Sequence, residues 1–157
     1  MVGLIVFDLD LTLWQCGPLL WCDQLTPPLG RTGDGRVVSA CNTEVRLYSE
    51  VEVILEGLRE QDILLGVASR TSAPELAREL LDLFGIAEHF AHLQIYPGDK
   101  SAHFRALQEE TGLAYEEMVF FDDEPRNIDS VGRLGVSAHL VGGGLTRDLL
   151  GRALRGD

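Results

Sequence analysis

A length of 157 residues suits one domain with a single continuous core. Hydrophobic residues make up 45% and charged residues 24%, ordinary proportions that argue against disorder. Thirteen Lys and Arg against 25 Asp and Glu leave a formal charge of −12, a field that disfavours nonspecific binding to nucleic acid or anionic membrane.

In chain order, residues 3–9 form a first apolar run that reads as a buried strand. Residues 13–49 follow with Pro18, Pro27, Pro28, four glycines and no sustained period, so a loop-like insertion is expected, with Val37-Val38 able to form one arm of a small hairpin. Val51, Ile54, Leu55 and Leu58 recur at helical spacing over 50–61, ahead of a second apolar run at 63–68. Ser72-Ala73-Pro74-Glu75 has capping-box spacing and an early proline, which predicts a helix over 73–84. A short strand is expected at His92–Ile95, then a helix near 100–111 ending at Gly112. Met118–Phe121 reads as another buried strand, Pro125 opens a helix to about Arg133, Val136–Val141 is the last strand and Leu145–Leu154 the last helix. This alternation predicts an α/β fold: one domain over 1–157 with a doubly wound, Rossmann-like parallel sheet and helices on both faces. The insertion after the first strand should overhang the strand ends as a short flap.

Asp8 and Asp10 stand where the first apolar run stops. Residues two apart on a strand point the same way, so both carboxylates emerge together. Their repulsion calls for a cation or a shared proton. Mg²⁺ favours such an all-oxygen site, and the carboxyl edge of an open α/β sheet is where ligands bind. Ser69-Arg70-Thr71, Lys100 and Asp122-Asp123 also lie just past strand ends, so one sheet edge can gather them all. A Mg²⁺-dependent phosphoryl-transfer site is the expectation.

Asp8-x-Asp10-x-Thr12, then Ser69, Lys100 and Asp122-Asp123 in that order, resemble the haloacid dehalogenase (HAD) superfamily. Within it, Phe7–Trp14, Ala68–Thr71, Ile95–Lys100 and Phe120–Glu124 are similar to the magnesium-dependent phosphatase-1 family, whose minimal cap agrees with a single flap. The resemblance implies Asp8 as nucleophile, forming an aspartyl-phosphate, and Asp10 as general acid and then base. It implies Mg²⁺ on Asp8, the Asp10 carbonyl and one acid of the later pair, with Asp123 the direct ligand and Asp122 its support. Lys100 would neutralise charge on the nucleophile and phosphoryl oxygens. Ser69 and the backbone N–H groups near Leu9 and Arg70 would hold the equatorial oxygens. Arg70 would also meet phosphate or the substrate tail, and Thr12 would tie the loop.

Each residue also has a plainer role: Ser69 as a loop serine, Lys100 as a solvated lysine, Asp123 or Glu124 as the cap of the helix at Pro125. Position and order favour the functional one. His89, His92, His103 and His139 lack metal spacing and are expected to be satisfied or exposed. Cys16, Cys22 and Cys41 lack the short paired steps of a zinc site and read as free thiols of a reducing compartment. No stretch reads as a secretory leader or membrane span, so a cytoplasmic protein is expected, monomeric or weakly dimeric. Trp14 and Trp21 would line the pocket or anchor the flap. The expected substrates are phosphotyrosine or other phosphoproteins, or small sugar-type phosphates. The alternatives are a receiver-like domain that stores phosphate on an aspartate, or a polynucleotide end phosphatase, which the net acidity opposes; a dehalogenase has no use for Asp10 or the metal.

Overall fold

Four consecutive apolar residues, Leu4–Phe7, make β1, and all four are buried. A strand without a polar face must be covered on both sides, which places it inside a parallel sheet. The computed structural model describes residues 1–157 and shows that sheet. β1 lies at its centre. The insertion contributes β2 (Trp14–Gln15), β3 (Gly30–Arg31), β4 (Val37–Val38) and β5 (Glu44–Leu47). The other strands of the main sheet are β6 (Leu64–Ser69), β7 (His92–Ile95), β8 (Met118–Asp122) and β9 (Ser137–Leu140). Their order is β7-β6-β1-β8-β9, all neighbours parallel. The doubly wound α/β expectation therefore holds.

Register decides what meets at the carboxyl edge. Phe7 is level with Val67 on one side and Phe121 on the other, so Asp8 lies level with Ala68 and Asp122. Alternation sorts β1 into two faces. Ile5 and Phe7 join a core with residues of α1 (Val51–Arg59), α2 (Pro74–Leu83) and α5 (Arg147–Arg155). Leu4 and Val6 join a smaller one with α3 (Lys100–Thr111) and α4 (Pro125–Gly132). Asp8 and Asp122 continue the α3 side, where Lys100 begins the helix.

Local signals explain most helix ends. Asp99 caps α3 by accepting from the Ser101 N–H at 2.8 Å, and Gly112 ends it with φ 71°, a left-handed value natural to glycine. Pro74 and Pro125 open α2 and α4 as expected. One capping expectation is corrected, and one plainer alternative is not taken up. Ser72 does not cap α2: the N-cap is Ala73, because the Ser72 hydroxyl donates to Asp23 Oδ2 across the flap at 2.8 Å. Neither Asp123 nor Glu124 caps α4 through its side chain; instead Asp122 Oδ1 accepts from the Glu124 N–H at 2.9 Å.

The loop-like expectation for 13–49 is corrected too. β2, β5, β4 and β3 form a four-stranded antiparallel sheet in that order, with Val37-Val38 paired on both sides rather than one. Trp14, Cys16, Cys22, Leu25, Leu29, Val37 and Val45 are buried in the same core as α1 and α2. The flap is thus anchored to the sheet it covers. No helix is long and apolar enough to cross a membrane.

Candidate active site

Asp8 follows β1 directly, and two side chains hold its carboxylate. Lys100 Nζ donates to Oδ1 at 2.8 Å and Thr12 Oγ1 to Oδ2 at 3.0 Å. Thr12 therefore acts on the acid itself, beyond tying the loop. Lys100 is 1% exposed and also donates to Asp122 Oδ2 at 2.5 Å. Burial alone pulls its ammonium down, but Asp8 and Asp122 more than reverse this and raise it. The Phe120 ring, with its centroid 5.2 Å from Nζ, adds a cation–π contact. The buried lysine is a fixed cation between two carboxylates.

Asp122 and Asp123 have different surroundings. Asp122 is fully buried, and both its oxygens are engaged: Oδ1 by the Glu124 N–H, Oδ2 by Lys100 and by Asn127 Nδ2 at 3.0 Å. Asp123 has neither a lysine nor an asparagine on its carboxyl; it stands against Asp8 and lines the cavity. Carboxylate oxygens of Asp8, Asp122 and Asp123 lie within 4.8 Å of one another. One lysine leaves such a trio with excess negative charge. Burial and the nearby Asp8 accordingly push both later acids up, Asp123 the further. A hard divalent cation relieves that excess through the oxygen ligands it prefers, so the donor set fits Mg²⁺.

Asp10 is held from the flap. Leu11 takes the left-handed φ of 63°, and the chain turns back so that the Leu11 N–H reaches the Trp14 carbonyl at 2.8 Å. Trp14 Nε1 then donates to Asp10 Oδ1 at 2.7 Å, and the Cys22 N–H to Oδ2 at 3.1 Å. Burial is the main influence on this carboxyl, pushing it up to about 6 against the pull of those two donors. Trp14 is wholly buried and anchors the flap against Phe84, whereas Trp21 is 46% exposed and lines the cavity.

The cavity has a volume of about 310 Å³, and Asp8, Asp10, Ser69, Arg70, Lys100 and Asp123 all face it. Leu9 packs its side chain in the core; its N–H and those of Asp10 and Arg70 donate to no acceptor within the protein. Ser69 is buried, with Oγ 3.3 Å from the Thr71 N–H. Sequence reasoning missed several lining residues: Asp23 from the flap, and Glu124, Arg126 and Asn127 around the start of α4. Asn127 bridges Asp122 to Arg70, whose Nη1 lies 3.4 Å from Asn127 Oδ1. Its detectable signal was its place in the first turn of a helix beginning just beyond an acidic pair.

Cys16 and Cys22 are buried as free thiols; Cys16 Sγ lies 3.8 Å from Asp10 Oδ1, and the acidic trio contains no cysteine. Burial, with Asp10 adding to it, pushes the Cys16 thiol up to about 12. His103 is fully buried and hydrogen-bonded.

Residues 1–156 match the family model described as Acid Phosphatase. The chain is 42% identical over 152 residues to magnesium-dependent phosphatase 1 of Homo sapiens, covering 96% of this chain and 84% of that protein. It is 41% identical over 145 residues to a HAD-like hydrolase superfamily protein of Schizosaccharomyces pombe, covering 85% and 81%. Among solved structures, a HAD family enzyme of Bacteroides thetaiotaomicron, in complex with magnesium and inorganic phosphate, superposes with a TM-score of 0.69 at 16% identity. That superposition covers 96% of this chain and 99% of the other, and shows a shared fold.

Proposed function

The chain belongs to the Acid Phosphatase family and is a phosphatase, and we propose that it hydrolyses phosphate monoesters through a phosphoryl group carried on Asp8. One observation supports this most: two acids one residue apart have opposite settings. Asp8 is clamped by a buried cation and a hydroxyl, which fix the carboxylate in place as suits a nucleophile. Asp10 is shifted upward at the cavity wall, as suits a group that gives and takes a proton.

In the first half-reaction, an Asp8 carboxylate oxygen attacks phosphorus, the ester P–O bond breaks, and the leaving oxygen takes the Asp10 proton. In the second, water attacks the phosphoryl group on Asp8, Asp10 accepts the water's proton, and inorganic phosphate leaves with Asp8 restored. Ser69 and the free N–H groups of Leu9 and Arg70 receive the equatorial oxygens, and Lys100 balances their charge. Asp8, Asp123 and the Asp10 carbonyl would hold Mg²⁺, which supplies the charge neutralisation that lets an anionic nucleophile approach an anionic ester. Asp122, with both oxygens occupied, positions Lys100.

The substrates that suit the cavity best are small sugar-type phosphates, because Trp21 is its one hydrophobic wall. The exposed face of Trp21 supports phosphotyrosine as a second class. A phosphate-storing receiver does not fit. Receivers of the flavodoxin-like type order their strands 2-1-3-4-5; counted along the main sheet alone, this chain has 3-2-1-4-5, with the reactive acid on the first strand.

The test is steady-state hydrolysis of an aryl phosphate, followed by a panel of sugar phosphates and phosphotyrosine peptides. Turnover that requires Mg²⁺ and disappears in Asp8→Asn is expected. Metal-independent turnover, or full activity in that variant, would contradict the mechanism.

A further inference from the structure

His103 lies on the first turn of α3, is fully buried, and has no part in the chemistry above. Its Nε2 sits 2.9 Å from the Ser69 carbonyl oxygen and 2.7 Å from that of Tyr96, and Nδ1 stands 3.2 Å from the Asp99 oxygen. Both ring nitrogens face backbone carbonyl oxygens; the proton is assigned to Nε2, which has two of them at the shorter distances, so Nε2–H donates to both. The Tyr96 ring stacks on the imidazole with centroids 4.3 Å apart and planes 7° apart, and Tyr96 Oη is itself fixed by Gln94 Oε1 at 2.6 Å. The imidazole is locked in place.

What it touches matters more than how it is held. Ser69 ends β6 and lines the cavity, and the loop from Tyr96 to Asp99 leads from β7 into Lys100, which lines it too, so one ring ties together two segments that reach the cavity. The Ser69 carbonyl and the Arg70 N–H belong to one planar trans peptide and point in opposite directions. The Tyr96 N–H donates to the Ser69 oxygen at 3.0 Å. His103 is a second donor to the same oxygen, and two donors fix a peptide plane more firmly than one.

We infer that His103 is a positioning residue: by holding the Ser69 carbonyl it aims the unpartnered Arg70 N–H into the cavity as a donor to the phosphoryl oxygens. This rests on the phosphatase mechanism proposed above. A buried polar side chain thus adds a second donor to a carbonyl that the β7 side already holds with one.

His103→Phe keeps the stack on Tyr96 and removes the donor, whereas His103→Gln restores an N–H where Nε2 stood. For His103→Phe, kcat/KM should fall by about tenfold, less than the ~10²–10³ lost when an oxyanion donor is deleted outright. Inhibition by inorganic phosphate should weaken alongside it, and His103→Gln should recover most of both. The Arg70 amide resonance should shift when inorganic phosphate is added to the wild-type protein with Mg²⁺, and that shift should shrink in His103→Phe. If His103→Phe does not fold, His103→Asn gives the same contrast with His103→Gln, because its amide reaches only the Nδ1 position. Equal kinetics in the donor-retaining and donor-lacking variants would overturn the inference. So would an Arg70 amide that ignores phosphate in a wild-type enzyme that phosphate inhibits, and either result leaves the phosphatase mechanism standing. A wild-type protein that neither hydrolyses aryl phosphate nor binds phosphate would overturn both.

Discussion

The sheet edge and the flap treat neighbouring acids in opposite ways. At the edge, Asp8 receives its partners from the rigid core: Thr12 from its own turn and Lys100 from a helix packed on the sheet, in contact with Asp122. Over the edge, Asp10 receives its partners from the insertion, through the Trp14 indole and the Cys22 N–H. One region supplies a cation and holds a carboxylate in place; the other supplies neutral donors and burial, which raises the Asp10 carboxyl. Two carboxylates on one strand end thus have two environments because two separately built regions enclose them, and the proposed mechanism gives each its own task.

The largest effect should come from the edge. Asp8→Asn should lower turnover by ~10³-fold or more, since in the proposed mechanism Asp8 carries the phosphoryl intermediate. Measured against an alkyl and an aryl phosphate, the loss should be equally severe for both. Asp10→Asn should break that symmetry. With an alkyl leaving group, which needs a proton, the loss should be roughly 10²–10⁴-fold, and formation of the phosphoenzyme from an aryl ester should suffer far less. A loss independent of leaving group would erase the distinction between the two acids.

Stability separates the regions as well. Lys100→Met leaves Asp8 and Asp122 buried without their cation, and urea denaturation without Mg²⁺ should show a loss of about 3–5 kcal/mol. Added Mg²⁺ should recover part of it, because a divalent ion replaces some of the missing charge. The smallest effect belongs to Asp99, whose carboxylate is held below the usual range, chiefly by the Ser130 hydroxyl and then by Ser101. A depressed carboxyl contributes stability above its unfolded value, near 3.9, and loses it as pH falls through the folded value. Asp99→Ala should therefore cost about 1 kcal/mol at neutral pH, as for a lost N-cap. The gap from wild type should close as the solution is acidified below about pH 4.

The same two regions differ in what their residues disclose. Leu4–Phe7 and Met118–Phe121 are uninterrupted apolar runs, which only a sheet covered on both faces accepts, so the strands and the acids at their ends could be read directly. Lys100 was legible through its place after β7, although nothing in its type foretold full burial. The flap strands β2, β3 and β4 have two residues each, too few for alternation to register, and so 13–49 looked loop-like. Trp14 was ambiguous because an indole serves a core and a pocket equally well; only the turn at Leu11 aims its N–H at Asp10. Asn127 and His103 act through backbone and amide contacts between segments far apart in sequence, which no local spacing encodes.

The division of labour between Asp8 and Asp10 is tested most directly by acid-quenching Asp10→Asn during reaction with an aryl phosphate and Mg²⁺, then mapping the modified peptide. An aryl oxygen leaves without a proton donor, while hydrolysis of the intermediate lacks its base, so a phosphoryl group should accumulate on Asp8. Undiminished turnover, an unmodified protein, or a phosphoryl group on any other residue would contradict the assignment.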